Sequence, residues 1–286
     1  MKPAAFGYRR PGSVDEAVTI LAEEGDEAKI IAGGQSLVPM LNLRLVYPRL
    51  LVDIAALPLR EIGCRDDHVR VGSMVCHRQL TSDPLIRSDL PLVALAAAHI
   101  GHPAIRNRGT LGGSLAHADP AAELPAVAVA LSAIIQVRSN TGRRSIPADE
   151  FFDGPFMTAL GSDEIIVAVD FPRHSDRRAA FEEVTIRSGD FAVAAVACII
   201  SQTPQGSLAD VRLALAGVGG KPVRAAQAEQ LLEGRAPTSE LVAQAGVLAA
   251  RIGRPVTDIH GSDTYRRALV PPVLRRAISG ALGQAL

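Results

Sequence analysis

Apolar positions along the chain switch between helical spacing and short unbroken runs, and the switches divide the sequence into three stretches. Val14, Ala17, Val18 and Leu21 recur at the interval of a helix face. Ser13 and Glu16 make a Ser-x-x-Glu start signal and Gly25 a stop, so a helix is expected over Val14 to Glu24. Ala28 to Ala32 reads as a short buried strand running into Gly33 and Gly34, and Leu50 to Ile54 as another after the Leu37 to Leu45 stretch. From Ile62 the pattern is mixed. A strand around Val69 to Val71, an Ala-rich helix from Leu90 to Ile100, a glycine-rich segment at Thr110 to Ser114 and an apolar helix from Ala121 to Leu131 are expected in that order. Ile134 to Arg138 and Arg143 to Ile146 flank Asn140, Thr141 and Gly142 in the manner of a hairpin, and Glu164 to Phe171 closes the region as a strand.

Pro172 to Arg178 is polar and charged and is the best boundary in the chain. Three strand-like stretches follow, about Ala179 to Ile186, Ala192 to Ser201 and Asp210 to Ala216, and then three helical ones beginning near Pro222, Ser239 and Asp263. Strands followed by helices predict an α+β unit with segregated layers.

Composition narrows the function. Thirty basic and 30 acidic side chains leave no net charge, which argues against a nucleic-acid binder or a polybasic membrane-surface protein. The longest apolar run, Leu124 to Ile135, has 12 residues, short of the ~20 that span a bilayer, so no membrane span is expected. The N-terminal residues turn polar before a signal-peptide-length apolar segment develops, and the cytoplasm is the expected location. Cys64, Cys76 and Cys198 are odd in number and far apart, which suits incidental cytosolic thiols better than a disulfide framework. They cannot alone ligate an iron-sulfur cluster, which takes about four thiolates.

Two segments stand out as candidate chemistry, Ile30 to Leu37 and Asn107 to Leu124. Each joins two adjacent glycines to a hydroxyl residue, which lets the backbone approach a ligand and turn several N–H groups toward one anion such as a pyrophosphate. A tight turn that needs positive φ accounts for either pair equally simply. Neither segment carries the Gly-x-Gly-x-x-Gly dinucleotide fingerprint, and Gly217 to Lys221 imitates a phosphate loop only until Pro222 stands where a Ser or Thr is required. That segment reads as a loop between strand and helix. His117 and Asp119 lack a third metal ligand nearby and read as loop residues. Glu123, in the first turn of its helix, suits a cap and a ligand contact alike. Arg266, Arg267, Arg275 and Arg276 read as a solvated face or a subunit contact.

Taken together, Ala-Gly-Gly-Gln-Ser at 32–36, Arg-Asn-Arg-Gly-Thr-Leu-Gly-Gly-Ser at 106–114, His-Ala-Asp-Pro-Ala-Ala-Glu-Leu-Pro at 117–125 and Gly-Asp-Phe-Ala at 189–192 resemble the FAD-binding medium subunits of molybdenum hydroxylases. That family includes flavoprotein subunits of carbon monoxide, quinoline and nicotine dehydrogenases and the flavin domain of xanthine dehydrogenase. Tyr-Arg-Arg at 265–267 and Leu-Arg-Arg-Ala at 274–277 add to the likeness, which runs over nearly the whole chain. The resemblance implies an α+β fold: a two-part FAD module of the vanillyl-alcohol-oxidase type, residues 1–56 and 57–172, with a C-terminal α+β domain at 173–286 built on a three-stranded antiparallel sheet and helices.

By the same resemblance Ile30, Ile31, Ala32, Gly33, Gly34, Gln35, Ser36 and Leu37 surround the FAD pyrophosphate and ribityl chain together with Thr110, Leu111, Gly112, Gly113 and Ser114. Asp119 belongs with this set. Glu123 contacts the ribityl hydroxyls, Ile166 lies beside a ring edge, and Phe191 covers the isoalloxazine. Catalytic and metal-ligating residues are not implied for this chain. Glu182 stands where the xanthine dehydrogenase branch has a Lys near the flavin, and Ile186-Arg187 replaces a basic pair, which leaves the electron acceptor open.

The implied role is an electron-transfer oxidoreductase subunit whose FAD collects single electrons and passes pairs to an external acceptor. The 2Fe-2S clusters are expected on a small subunit and the molybdopterin cofactor on a large one, in a dimer of heterotrimers, a heterohexamer. The alternative within the same fold is a self-sufficient flavin oxidoreductase.

Overall fold

The computed structural model describes residues 2–286. It is an α+β architecture of three sheets in sequence, with a fourth, two-stranded piece beside the second sheet.

The first sheet is parallel. Its strands Gly7–Arg9 (β1), Ala28–Ile31 (β2) and Leu50–Asp53 (β3) lie in the order β1-β3-β2, with helix Val14–Glu24 (α1) between the first two strands and Leu37–Asn42 (α2) between the last two. The expected stripe on α1 faces inward, with Ala17, Val18 and Leu21 buried. Its start signal works by halves. Ser13 Oγ accepts from Glu16 N–H at 3.1 Å, but the Glu16 carboxylate reaches past Ser13 to the Gly12 N–H at 2.7 Å.

The second sheet is antiparallel, in the order β4-β5-β10-β6-β7, from strands Ile62–Cys64 (β4), His68–Gly72 (β5), Ile134–Ser139 (β6), Gly142–Pro147 (β7) and Ile165–Pro172 (β10). The hairpin Phe152–Gly154 (β8) and Met157–Thr158 (β9) forms the separate two-stranded piece. Between β5 and β6 the chain makes six helices: His77–Ser82 (α3), Pro84–Asp89 (α4), Pro91–His99 (α5), Pro103–Arg106 (α6), Leu111–His117 (α7) and Glu123–Ala130 (α8); Ala148–Phe151 (α9) follows β7. Prolines at 84, 91 and 103 explain the short lengths, since each supplies a favourable first helical residue and prevents continuation of the preceding turn. Helix α7 was not expected: Thr110 to Ser114 reads only as a glycine-rich segment, since two glycines depress helix propensity, yet Thr110 caps a helix that contains both.

The third sheet, Arg178–Val184 (β11), Ala194–Gln202 (β12), Leu208–Ala216 (β13) and Val223–Arg224 (β14), is antiparallel in that order. It has four strands where three were expected, because β14 has two residues and carries no periodic signal. The helix expected from Pro222 begins at Ala226 (Ala226–Leu232, α10), and Ser239–Ile252 (α11) and Asp263–Leu282 (α12) complete the chain. The apolar run of β12 is unbroken because both its faces are covered. Ala195, Ala197 and Ile199 join the core of the second unit, while Ala194, Val196, Cys198 and Ile200 pack with α10 to α12. Helix α8, buried at every residue, forms the common wall.

Candidate functional site

The first two sheets and the loop between β11 and β12 border one cleft of about 910 Å³, near the upper end of the ~300–1,000 Å³ range of ligand pockets. Ile30, Ala32 to Leu37, Thr110, Gly112 to Ser114, Glu123, Ile166 and Phe191 line it. Residues 80 or more positions apart in sequence are thus gathered on one surface.

The first glycine pair follows β2. A methyl group placed on Gly33 would stand 2.1 Å from the carbonyl oxygen of Arg108, so only glycine lets this turn touch the backbone leading into the second pair. Gly34 follows with φ of 73°, and Gln35 folds back to donate from Nε2 to the Gly33 carbonyl at 3.0 Å. Among the described residues no hydrogen bond uses the amides of Gly33, Gly34, Gln35, Ser36 or Leu37. Consecutive free N–H groups around a left-handed residue make a concave anion-binding nest.

The second pair is built differently. The amides of Leu111 and Gly112 donate to the carbonyls of Val75 and Ser73, and those of Gly113 and Ser114 donate to Thr110 Oγ1 and the Thr110 carbonyl. The expected row of free N–H groups is therefore absent from this segment: the cap and the turn after β5 consume it. What faces the cleft is hydroxyl and bare backbone. A methyl group on Gly113 would lie 2.8 Å from Thr110 Oγ1 and 3.8 Å from the Ala32 side chain, filling the space between the two segments.

Glu123 is the first residue of α8 and is only 4% exposed. Burial pushes its carboxyl up to about 8, with Glu183 and Asp119 adding to the rise and His99 opposing it. The group is thus neutral at pH 7 and can donate as well as accept a hydrogen bond, which the expectation of a carboxylate contact did not include. Behind it His99 Nδ1 meets Glu183 Oε1 at 3.1 Å.

Two histidines of the cleft were missed as lining residues. His77 is buried, places Nε2 3.0 Å from the Thr110 carbonyl and is driven down to about 4 by burial, so the neutral ring props the start of α7. His117, read as a loop residue, is the last residue of α7, lines the cleft and meets the Phe156 ring at a tilt of 46° with centroids 5.1 Å apart. Phe156 was missed altogether. It is 57% exposed at the tip of the β8–β9 hairpin with φ of 58°, a conformation that costs a bulky residue about 1 kcal/mol or more. No spacing pattern marks a lone Phe in a turn.

Three expected residues lie off the cleft. Ile31 points away and packs beside Gly34, Leu111 is fully buried in the core, and Asp119 is a turn residue whose Oδ1 accepts from the Ala121 N–H at 2.9 Å. In a strand or helix one neighbour in two or three faces away, and a contiguous motif does not say which. Glu182 also stays outside: it pairs with Arg276 of α12 at 3.2 Å. Arg266 is no solvated residue. It is 6% exposed, donates to the carbonyls of Val193 and Gly217 and forms a two-pronged pair with Asp258.

Comparison with known proteins gives matches over the full chain. Residues 4–174 match the family described as FAD binding domain in molybdopterin dehydrogenase, and residues 179–281 the carbon monoxide dehydrogenase flavoprotein C-terminal domain. The nicotine 6-hydroxylase medium subunit of Paenarthrobacter nicotinovorans is 43% identical over 97% of this chain and 98% of its own. The carbon monoxide dehydrogenase medium chain of Hydrogenophaga pseudoflava is 36% identical over 98% of both. A solved structure of the carbon monoxide dehydrogenase from that organism, in a form lacking the Mo-pyranopterin moiety, superimposes with a TM-score of 0.96 at 38% identity and covers both chains fully.

Proposed function

The chain belongs to the family of FAD-binding domains of molybdopterin dehydrogenases, and from that premise we propose how its residues hold the cofactor and what they serve. It is an oxidoreductase subunit, the flavoprotein medium chain of a multi-subunit molybdenum hydroxylase. Bound FAD supplies a carrier that takes electrons singly and releases them in pairs.

The observation that carries the cofactor assignment is the nest at Gly33 to Leu37, whose unused amides open into a cleft of about 910 Å³. A pyrophosphate fits such donors without needing Lys or Arg, in keeping with a chain that has no net charge. Across from it the hydroxyls of Thr110 and Ser114 and the bare edge of Gly113 admit the diphosphate and ribityl chain. Glu123, neutral and buried, pairs with sugar-alcohol hydroxyls, and Ile30, Ile166 and Phe191 offer apolar surface to rings. These residues bind, orient and exclude water.

Three free thiols, Cys64 exposed, Cys76 half-buried and Cys198 buried, are too few for an iron-sulfur cluster, so the clusters that feed the flavin reside on another chain. We assign 2Fe-2S clusters to a small subunit and the molybdopterin to a large one, in a cytoplasmic dimer of heterotrimers that delivers electron pairs to an external acceptor. The relatives are themselves subunits, which favours this reading over a self-contained oxidoreductase.

The visible spectrum of the purified chain tests the cofactor. Stoichiometric flavin is expected; a folded, colourless protein that takes up no added FAD overturns the assignment. Co-purification from the native source, followed by mass spectrometry, tests the partners.

A further inference from the structure

Three of the seven phenylalanines fall between positions 151 and 156, and the structure treats them differently. Phe151 and Phe152 are fully buried and meet edge to face at 5.1 Å, which anchors the base of the β8–β9 hairpin. Phe156 is held out at the tip, more than half exposed, on the cleft wall beside Met157. Its left-handed backbone is fixed by its own N–H, which donates to the Ala118 carbonyl at 3.0 Å, and its ring rests on His117. An apolar ring fixed in that conformation, facing a cleft and not the core, offers a surface for another ring.

The segment Gly217 to Lys221, which fails as a phosphate loop, meets this hairpin from behind. Lys221 Nζ donates to the Phe152 carbonyl at 2.7 Å, so its charge is spent on the hairpin and not on an anion. A methyl group on Gly220 would stand 3.2 Å from the Pro155 ring, which puts the loop backbone against the residue before Phe156. The same loop reaches the other walls. The Gly217 N–H donates to the Pro120 carbonyl at 2.9 Å, three residues before Glu123, and its carbonyl shares Arg266 with that of Val193, two residues after Phe191.

We propose that Phe156 is a second aromatic contact surface for a ring of the bound FAD, and that Lys221 is the positioning residue that holds it there from the C-terminal unit. The proposal rests on the flavin reading above.

The test uses the full chain loaded with FAD. Phe156→Ala is expected to weaken FAD binding about tenfold, ~1.4 kcal/mol, in a fluorescence titration and to change the visible circular dichroism of the bound flavin. The melting temperature of the flavin-free chain should hold, because the ring is 57% exposed. Lys221→Met should shift the dichroism in the same direction with a smaller loss of affinity, and Lys221→Arg, which keeps a donor, should restore it. Competition by ADP and by FMN then assigns the ring: a weaker ADP places Phe156 on the adenine, and a weaker FMN places it on the isoalloxazine. Unaltered affinity and dichroism in Phe156→Ala overturn the aromatic contact, and a wild-type dichroism in Lys221→Met overturns the positioning role. A wild type that binds no flavin breaks the underlying assignment instead.

Discussion

The two glycine pairs of the cleft have nearly the same composition and opposite construction. At Gly33 and Gly34 the backbone turns with its amides unspent, whereas at Gly112 and Gly113 it has already entered a helix whose first four amides are bonded to Ser73, Val75 and Thr110. The first pair supplies dipoles and the second supplies room. Adjacent glycines therefore do not by themselves identify an anion site; the hydrogen-bond partners of the following amides decide.

The largest expected effect follows from the contact between the segments. Gly33→Ala drives a methyl group to 2.1 Å from the Arg108 carbonyl, and no side-chain rotation relieves a clash between backbones. A stability loss of about 3 kcal/mol and loss of flavin are expected, read by thermal melting and the visible spectrum. A wild-type melting temperature would show that the two segments part without cost.

Gly113→Val separates room from stability. The added side chain meets the Thr110 hydroxyl that caps α7 and the gap toward Ala32, so FAD affinity should fall roughly 100-fold or more, while the empty fold is weakened by about 1 kcal/mol, the worth of a helix cap. Retention of FAD by this variant would sink the placement of the cofactor between the segments.

Glu123 extends the contrast, since the second side of the cleft also avoids fixed charge there. Folded, this carboxyl titrates near 8, against 4.5 for an ordinary Glu. Between those values the folded chain keeps a proton that the unfolded chain has lost, so the stability of the flavin-free protein should decline as pH rises, by up to about 1.4 kcal/mol per unit. Glu123→Gln should flatten that decline. His77 and His174 act oppositely: burial holds both near 4, and their contribution is lost as pH falls from 6.5. A slope that survives Glu123→Gln points to another buried acid.

Much of this was legible beforehand. Helix α1, strands β2 and β3 and the β6–β7 hairpin follow from spacing and turn residues, and the order of the four motifs pointed to the cofactor. Periodicity could not show the helix through Gly112 and Gly113, because it is held by tertiary bonds to Ser73 and Val75 that outweigh poor local propensity. Nor could it separate Ile31 and Leu111 from their cleft-facing neighbours. Arg266, Lys221 and Phe156 were illegible for a common reason: each acts through backbone carbonyls or a turn far away in sequence, and those partners have no side-chain signature.

Strand β12 is covered on one side by the helices of its own unit and on the other by the core around α8. The chain is consequently indivisible near Pro172. A fragment that stops there strips Val127 and its neighbours of their cover, and the complementary fragment carries a naked Ala-Ile face prone to self-association. Heat or denaturant should melt the protein as one cooperative body, and a subunit-swapping experiment with a relative has to exchange whole chains.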